Sequence, residues 1–364
     1  MGRRAGVPDF GIFLATLLLL SIGIIMVLSS SIVTSEQLYG DPYYFLKRQL
    51  LWAALGLTGL FFVQQFDYRE LRRLAVPFLV LALFLLILVL LVGIEAKGSS
   101  RWLGVGTLSF QPSEVIKLAM VIFIAYSLAE VKKSLNSFWR DLLPYLLLLT
   151  VVCILILAQP DLGTAAAVAG TVYLMLAVAG ARREHLLMLL ALGLAGVAAA
   201  IAIAPYRMAR FLAFLNPWAD PSGTGYQYIQ SLLAVGSGGL FGVGLGQGKQ
   251  KLFYVPERHT DFIFAILSEE LGFIGAAVVI LLFFVLVWRG LRVALNAPDS
   301  FGSLLAAGIT IMIMLQALIN MGVVTGLLPI TGITLPLVSY GGSSLLFSML
   351  GIGILLNVSR YVRG

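Results

Sequence analysis

Charge is what this chain has least of. Only 11% of its residues are Asp, Glu, Lys or Arg, against 60% hydrophobic, and the mean hydropathy is +1.00. A soluble domain carries about 25% charged residues, so a soluble globular protein is excluded and the chain reads as an integral membrane protein. Its apolar runs are long and continuous, which excludes the alternating strands of a membrane barrel and leaves helices. Cysteine is scarcer still: Cys153 stands alone, so no internal disulfide can form. With only His185 and His259 present, a histidine-based metal site is a poor reading. The chain also has no polar linker long enough to divide soluble domains. The formal charge of +7 suits contact with anionic membrane lipids. Its basic residues are scattered over short loops, which argues against nucleic acid.

What is present is a series of apolar runs. A span needs about 20 such residues, and about ten are predicted, near 10–33, 49–66, 74–94, 114–130, 142–159, 165–180, 185–204, 262–287, 304–325 and 344–359. The first follows Met-Gly-Arg-Arg and is too long for a signal peptide, so it reads as an uncleaved helix; Gly6 breaks the myristoylation pattern. The fold class is therefore an all-α integral membrane protein, one polytopic domain over 1–364. Orientation follows from Lys and Arg. Arg3, Arg4, Arg69, Arg72, Arg73, Lys132, Lys133, Arg140, Arg182, Arg183, Arg289, Arg292, Arg360 and Arg363 fall on one side, and Lys47, Arg48, Lys97 and Arg101 in the opposite short connections. The first set is predicted to be cytoplasmic, with both termini, and 205–261 forms a large extracellular loop between helices 7 and 8.

The densest charge lies in Tyr254–Gly272, where Glu257, Arg258, His259 and Asp261 precede an apolar helix carrying Glu269 and Glu270. Ionisable groups at a membrane boundary are functional candidates. Asp261 is either a helix cap, with Thr260 or Asp261 near the N-cap position, or a general base kept ionised by Arg258 and a helix N-terminus. Glu257 is a second carboxylate or the partner of an arginine. Glu269 and Glu270 read as structural, paired with a basic residue on another helix. Arg101, Lys117, Arg207, Arg210, Lys249 and Lys251 are outward cations, each a headgroup contact if alone. Glu114 and Lys117 form an i, i+3 pair, self-satisfied or, with Arg101, part of a pyrophosphate site. Gly236–Lys249 is glycine-rich but fails the phosphate-loop spacing, with Val243 and Gln250 at required positions. It reads as a mobile, close-packing extracellular loop, and ATP as a substrate is unsupported. No serine has a nucleophile-elbow context.

Several Pro- and Gly-rich segments gather at the helix ends of one face. They are Gly98–Gly104, Gln111-Pro-Ser-Glu114, Gln159-Pro-Asp-Leu-Gly-Thr164, Leu328–Pro336 and Ser339-Tyr-Gly-Gly-Ser-Ser344. Non-helical backbone at that depth survives where it is buried in protein or lines a wet cavity, so a cavity open to the outside is predicted. With Lys47-Arg-Gln49, Arg101-Trp102, Gly225-Tyr-Gln227, Gln230-Ser231 and Pro256–Phe264, these motifs resemble the SEDS family (shape, elongation, division and sporulation) over nearly the full length. Asn216-Pro-Trp218 and Gly322–Gly326 look most like its division and sporulation branch, FtsW and SpoVE, more than RodA.

The resemblance implies a ten-helix membrane glycosyltransferase that polymerises lipid II into peptidoglycan, with undecaprenyl pyrophosphate as leaving group and a class B penicillin-binding protein as partner. The family's essential aspartate maps onto Asp261. Its other sensitive positions map onto Arg48, Arg101, Glu114, Lys117, Asp161 and Glu257. Some members carry lysine where this chain has Thr331, so that lysine's role does not carry over. The residues are compatible with an inverting displacement, in which a carboxylate takes the sugar hydroxyl's proton. Cations such as Arg207, Arg210 and Lys249, or a divalent Mg2+ or Mn2+ with no dedicated protein site evident, would stabilise the departing pyrophosphate. Two other classes stay open: a lipid II flippase, and a non-catalytic scaffold for the penicillin-binding partner.

Overall fold

The computed structural model describes residues 6–96, 99–105, 108–130, 137–251 and 255–362. Arg3, Arg4, Lys97, Gly98, Lys132, Lys133, Tyr254 and Arg363, used above, lie outside them. Twelve α-helices run α1 Phe10–Tyr39, α2 Tyr44–Gln65, α3 Leu71–Val92, α4 Pro112–Glu130, α5 Leu143–Leu157, α6 Leu162–Val178, α7 Arg183–Ile203, α8 Pro205–Leu215, α9 Tyr226–Ser237, α10 Ile263–Asn296, α11 Ser300–Val324 and α12 Gly342–Ser359. Each expected span falls on one of ten of these. Among the described residues nine helical stretches are long and apolar enough to cross a membrane, and α6, at 17 residues, is just short of that length. The protein is a multi-pass membrane protein.

Helices α4, α11 and α12 form the buried centre, with Ile116, Ile124, Ile309, Ile352 and Leu355 fully enclosed. The outer helices α3, α7 and α10 turn Leu81, Phe84, Leu194 and Phe284 outward, a belt suited to lipid rather than water. An even number of crossings returns the chain to its starting end. Gly6 N donates to Arg360 O at 2.7 Å, and Asp9 N to Ser359 Oγ at 2.9 Å.

Between α3 and α4, β1 Ile94–Ala96, β2 Ser99–Val105 and β3 Leu108–Phe110 pair antiparallel, which satisfies backbone groups beside the bundle. The 205–261 connection holds α8 and α9. One expected bound is corrected. The eighth span runs to Asn296, and its helix breaks at Gly272 (φ 68, ψ −167), a conformation open to glycine.

That break explains the glycine-rich stretch. It frees the carbonyls of Glu269 and Glu270, which accept from Val243 N (3.0 Å) and Gly244 N (3.1 Å). Beyond it, Phe273 N and Ile274 N donate to Gly239 O (2.9 Å) and Leu240 O (3.2 Å). The loop is thus tied across the break rather than hanging free, and a Cβ on Gly272 would sit 2.3 Å from Gly242 N. Glu269 accepts from Lys249 N at 2.8 Å and Gln250 N at 3.2 Å. Glu270 accepts from Lys251 Nζ at 2.7 Å and Ser29 Oγ on α1 at 2.8 Å. The expected pairing with a basic side chain holds for Glu270, whose lysine comes from the loop and not from another helix, whereas Glu269 accepts from backbone amides.

Candidate active site

The segment between α11 and α12 is non-helical yet buried, with Leu335, Leu337, Val338 and Ser339 almost fully enclosed. Its backbone must find partners inside the protein. Helix α9 supplies two. Ile330 N donates to the Tyr228 hydroxyl at 2.6 Å, which in turn donates to Leu328 O at 3.2 Å. Ser231 Oγ, one turn on, donates to Val324 O at 2.8 Å. Helix α11 supplies two more: Gln316 Nε2 donates to Thr334 O at 3.1 Å, and Asn320 Nδ2 to Ile333 O at 2.7 Å. These needs account for Tyr228 and Ser231 within the Gly225–Ser231 stretch.

The segment then meets the Asp261 turn. Ser339 Oγ donates to Thr260 O at 2.6 Å, Tyr340 N to His259 O at 2.9 Å, and Asn320 Nδ2 to Asp261 O at 2.7 Å. Within the turn, Thr260 N and Phe262 N donate to Glu257 O at 3.1 and 3.3 Å. Glu257 adopts φ 51, a left-handed conformation costing about 1–2 kcal/mol for an L-residue. Its side chain accepts from Thr260 Oγ1 at 3.3 Å. Helix α10 begins at Ile263 with Phe262 as N-cap and no side-chain cap. The expectation that Thr260 or Asp261 caps it is therefore corrected, and Asp261 does not hold the N-cap position.

Asp261 is half-buried, and its carboxylate faces Gly332 (φ +76), where a Cβ would lie 3.4 Å from Oδ2. The neighbouring Thr331 packs on the start of α6 so closely that a Cβ on Gly163 would meet it at 2.7 Å. Asp161 caps α6 through Thr164 N (3.0 Å) and Thr164 Oγ1 (2.9 Å). Arg101 Nε donates to Gln159 O at 2.9 Å, another of its nitrogens donates to Pro160 O, and Nη1 stands 3.8 Å from Asp161 Oδ2. Arg101 thus fastens β2 to this corner and does not approach Glu114 as its sequence position suggested.

On the other side of Thr331 is a cavity of about 40 Å3 lined by Pro160, Tyr206, Arg207, Arg210, Pro329 and Thr331 among others. Two arginines of α8 therefore line a cavity together with Thr331, the residue before the glycine that the Asp261 carboxylate faces. Arg207 also donates to the Tyr206 hydroxyl at 2.7 Å and Ala200 O at 3.0 Å. Thr331 Oγ1 and Asn320 Oδ1 are buried without a hydrogen-bond partner among the described residues.

The remaining predicted residues sit further off. Lys117 Nζ binds Glu114 at 2.8 Å and Gln316 Oε1 at 2.7 Å, with both ions about 6% exposed. This is an enclosed pair that reaches the 331–336 segment through Gln316. Arg258 donates to Ser30 O (3.2 Å) and Thr34 Oγ1 on α1, so it anchors the turn as well as neighbouring it. Arg48 stacks 4.6 Å over Tyr44, and its charge reaches the Tyr340 hydroxyl. Lys249 has an exposed side chain beside the Glu269 anchor. Sequence reasoning missed Gln316 and Asn320, although polar residues at i, i+4 in an apolar helix were a legible signal. Among the described residues no group of three or more His, Cys, Asp and Glu could hold a metal ion.

Residues 10–364 match the FtsW/RodA/SpoVE family, described as cell cycle proteins. The chain belongs to this family. It is 52% identical to stage V sporulation protein E of Bacillus subtilis (strain 168) over 358 residues, 98% of each chain. It is 45% identical to a probable peptidoglycan glycosyltransferase FtsW of Geobacter sp. (strain M18) over 364 residues, 100% of this chain and 99% of that one. Among solved structures, a chain of a peptidoglycan synthase complex that coordinates polymerization and crosslinking superposes with TM-score 0.80 and 35% identity, covering 97% of this chain and 98% of that one. Rod shape determining protein RodA of Thermus thermophilus gives 0.72 and 32%, covering 97% of both. Identity to the sporulation and FtsW members of the family exceeds that to RodA.

Proposed function

We propose that the protein is a peptidoglycan glycosyltransferase that polymerises lipid II into glycan strands in cell division or spore cortex synthesis, with Asp261 as general base. The observation that carries this reading is the placement of the half-buried Asp261 carboxylate against Gly332, one residue from the Arg207–Arg210 cavity. A sugar hydroxyl is a weak nucleophile until a positioned group takes its proton. Asp261 accepts that proton as the oxygen attacks C1 of the donor sugar. The C1–O bond to undecaprenyl pyrophosphate breaks on the opposite face, and the configuration inverts. Negative charge collects on the leaving pyrophosphate, where Arg207 and Arg210 stabilise it. Arg101, Asp161, Glu114, Lys117 and Arg258 shape the site, while Arg48, Glu257 and Lys249 border it.

A divalent cation, Mg2+ or Mn2+, enters this reading only as an ion carried by the pyrophosphate, since Mg2+ is commonly held by substrate phosphates and water. The lysine and arginine distribution supports a site facing outward from a bacterial cell membrane. The likeness to a synthase complex supports a class B penicillin-binding protein as partner. Purified protein with lipid II tests the reading directly. The parent makes polymer, and Asp261→Asn, folded as judged by elution and melting, makes none. Polymer from that variant, or lipid II translocation without polymer by the parent, overturns it.

A further inference from the structure

We propose that Asn320 is a positioning residue for the Asp261 carboxylate, an inference that rests on Asp261 being the base. Helix α11 is apolar over most of its length, yet Gln316 and Asn320 lie one turn apart on one face, both buried. Asn320 is 1% exposed, and its single amide nitrogen donates at 2.7 Å to Asp261 O and at 2.7 Å to Ile333 O. Those carbonyls belong to the two segments that flank the carboxylate. One is the turn that carries it. The other is the stretch whose Gly332 it touches. One carboxamide therefore sets the distance between the base and the wall it faces. Gln316 holds the same wall through Thr334 O at 3.1 Å and accepts from Lys117 at 2.7 Å.

Packing alone does not account for this residue. A carboxamide in an apolar interior is unfavourable unless bonded, and Asn320 Oδ1 is buried without a partner among the described residues. A leucine has the same side-chain branching and number of heavy atoms without that penalty. The two donors are what the leucine lacks. A displacement of about 1 Å at a reacting group can cost a hundredfold in rate, so a clamp between these segments acts on turnover rather than on substrate affinity.

A double-mutant cycle on the full-length protein, assayed with lipid II, tests this. Asn320→Leu is expected to lower kcat about 10–100-fold with KM within about twofold. In an Asp261→Glu background, where the carboxylate is already displaced by one methylene, the added loss is expected to fall to less than about threefold. A structural role without coupling would give losses that multiply, and that result overturns the proposal. So does a folded Asn320→Leu with parental kcat. If Asn320→Leu fails to fold, Asn320→Asp, of nearly the same shape but without the two donors, takes its place in the cycle. Asp261→Asn run in parallel separates the two claims. Activity in Asp261→Asn removes the base itself, whereas an inactive Asp261→Asn beside a fully active Asn320→Leu overturns the positioning alone.

Discussion

At the end of the bundle where the termini meet, Asp299 is surrounded. It accepts from the Tyr68 hydroxyl, from Arg72 at 3.0 Å, from Arg69 at 3.3 Å and from Gly302 N at 3.0 Å as the cap of α11. Asn357 closes the same corner, donating to Gln64 O at 2.8 Å and accepting from Tyr68 N at 3.0 Å. At the other end the Asp261 carboxylate lies near a glycine, and the carbonyls of Asp261 and Thr260 accept from Asn320 and Ser339. Burial pushes the Asp299 carboxyl up, but the Tyr68 hydroxyl, the Gly302 amide and the two arginines outweigh it and hold Asp299 below the usual carboxylate range. One aspartate is spent on holding helices together. The other is fixed through its backbone carbonyl, which accepts from Asn320 on α11.

Exchanging the two roles by mutation gives the largest contrast. Asp261→Asn is expected to leave no detectable lipid II polymer, since a general base contributes about 10²–10⁴-fold, with an unchanged melting temperature in detergent. Next in size is the enclosed ion pair that ties α4 to the site. Lys117→Met leaves Glu114 buried and unpaired, a loss of about 3–5 kcal/mol. Glu114→Gln added to it should restore much of that stability, and chemical denaturation of the single and double variants measures both. Gly332→Ala comes next. Its positive φ predicts about 1–2 kcal/mol of destabilisation, together with a fall in kcat because relief of that strain shifts the wall beside Asp261, the methyl itself lying at ordinary contact distance from Oδ2. A kcat unchanged by Gly332→Ala would break the claim that this contact defines the site.

The smallest effect belongs to the closed end. Asp299→Asn keeps a capping side chain but loses the ion pairs to Arg69 and Arg72, and should cost about 0.2–1 kcal/mol, with polymerisation within about twofold of the parent. The pH dependence has a definite sign. Because the folded state depresses this carboxyl, its contribution is full above the unfolded value near 3.8 and disappears as pH falls through the folded value. The difference in melting temperature between parent and Asp299→Asn should therefore hold from neutral pH down to that range and then shrink.

Much of the fold was legible in the residues because partition into a membrane depends on the sum of side-chain transfer energies along one segment. The ten apolar runs needed no knowledge of their neighbours. Asp261 stands out for the same local reason, as a charge beside an apolar helix, whereas Arg207 and Arg210 read only as two outward cations among several. The role of Arg101 was not legible, because its partners Gln159 O and Pro160 O lie in another connection. The glycine-rich stretch was read as mobile because glycine favours many conformations. Its order comes from backbone groups released at Gly272, and a propensity scale cannot see them.

The amino-acid sequence alone determined that this is a helical membrane protein with charge gathered at the ends of its spans, since hydropathy is a property of each residue in its own segment. Only the tertiary structure decided which charges meet. The pairing of Asp261 with Gly332, of α8's arginines with Thr331, and of Asn320 with both walls of the site joins residues from separate elements. Such contacts depend on how helices pack and on where buried backbone finds its hydrogen-bond partners, and neither is written in any one stretch of chain.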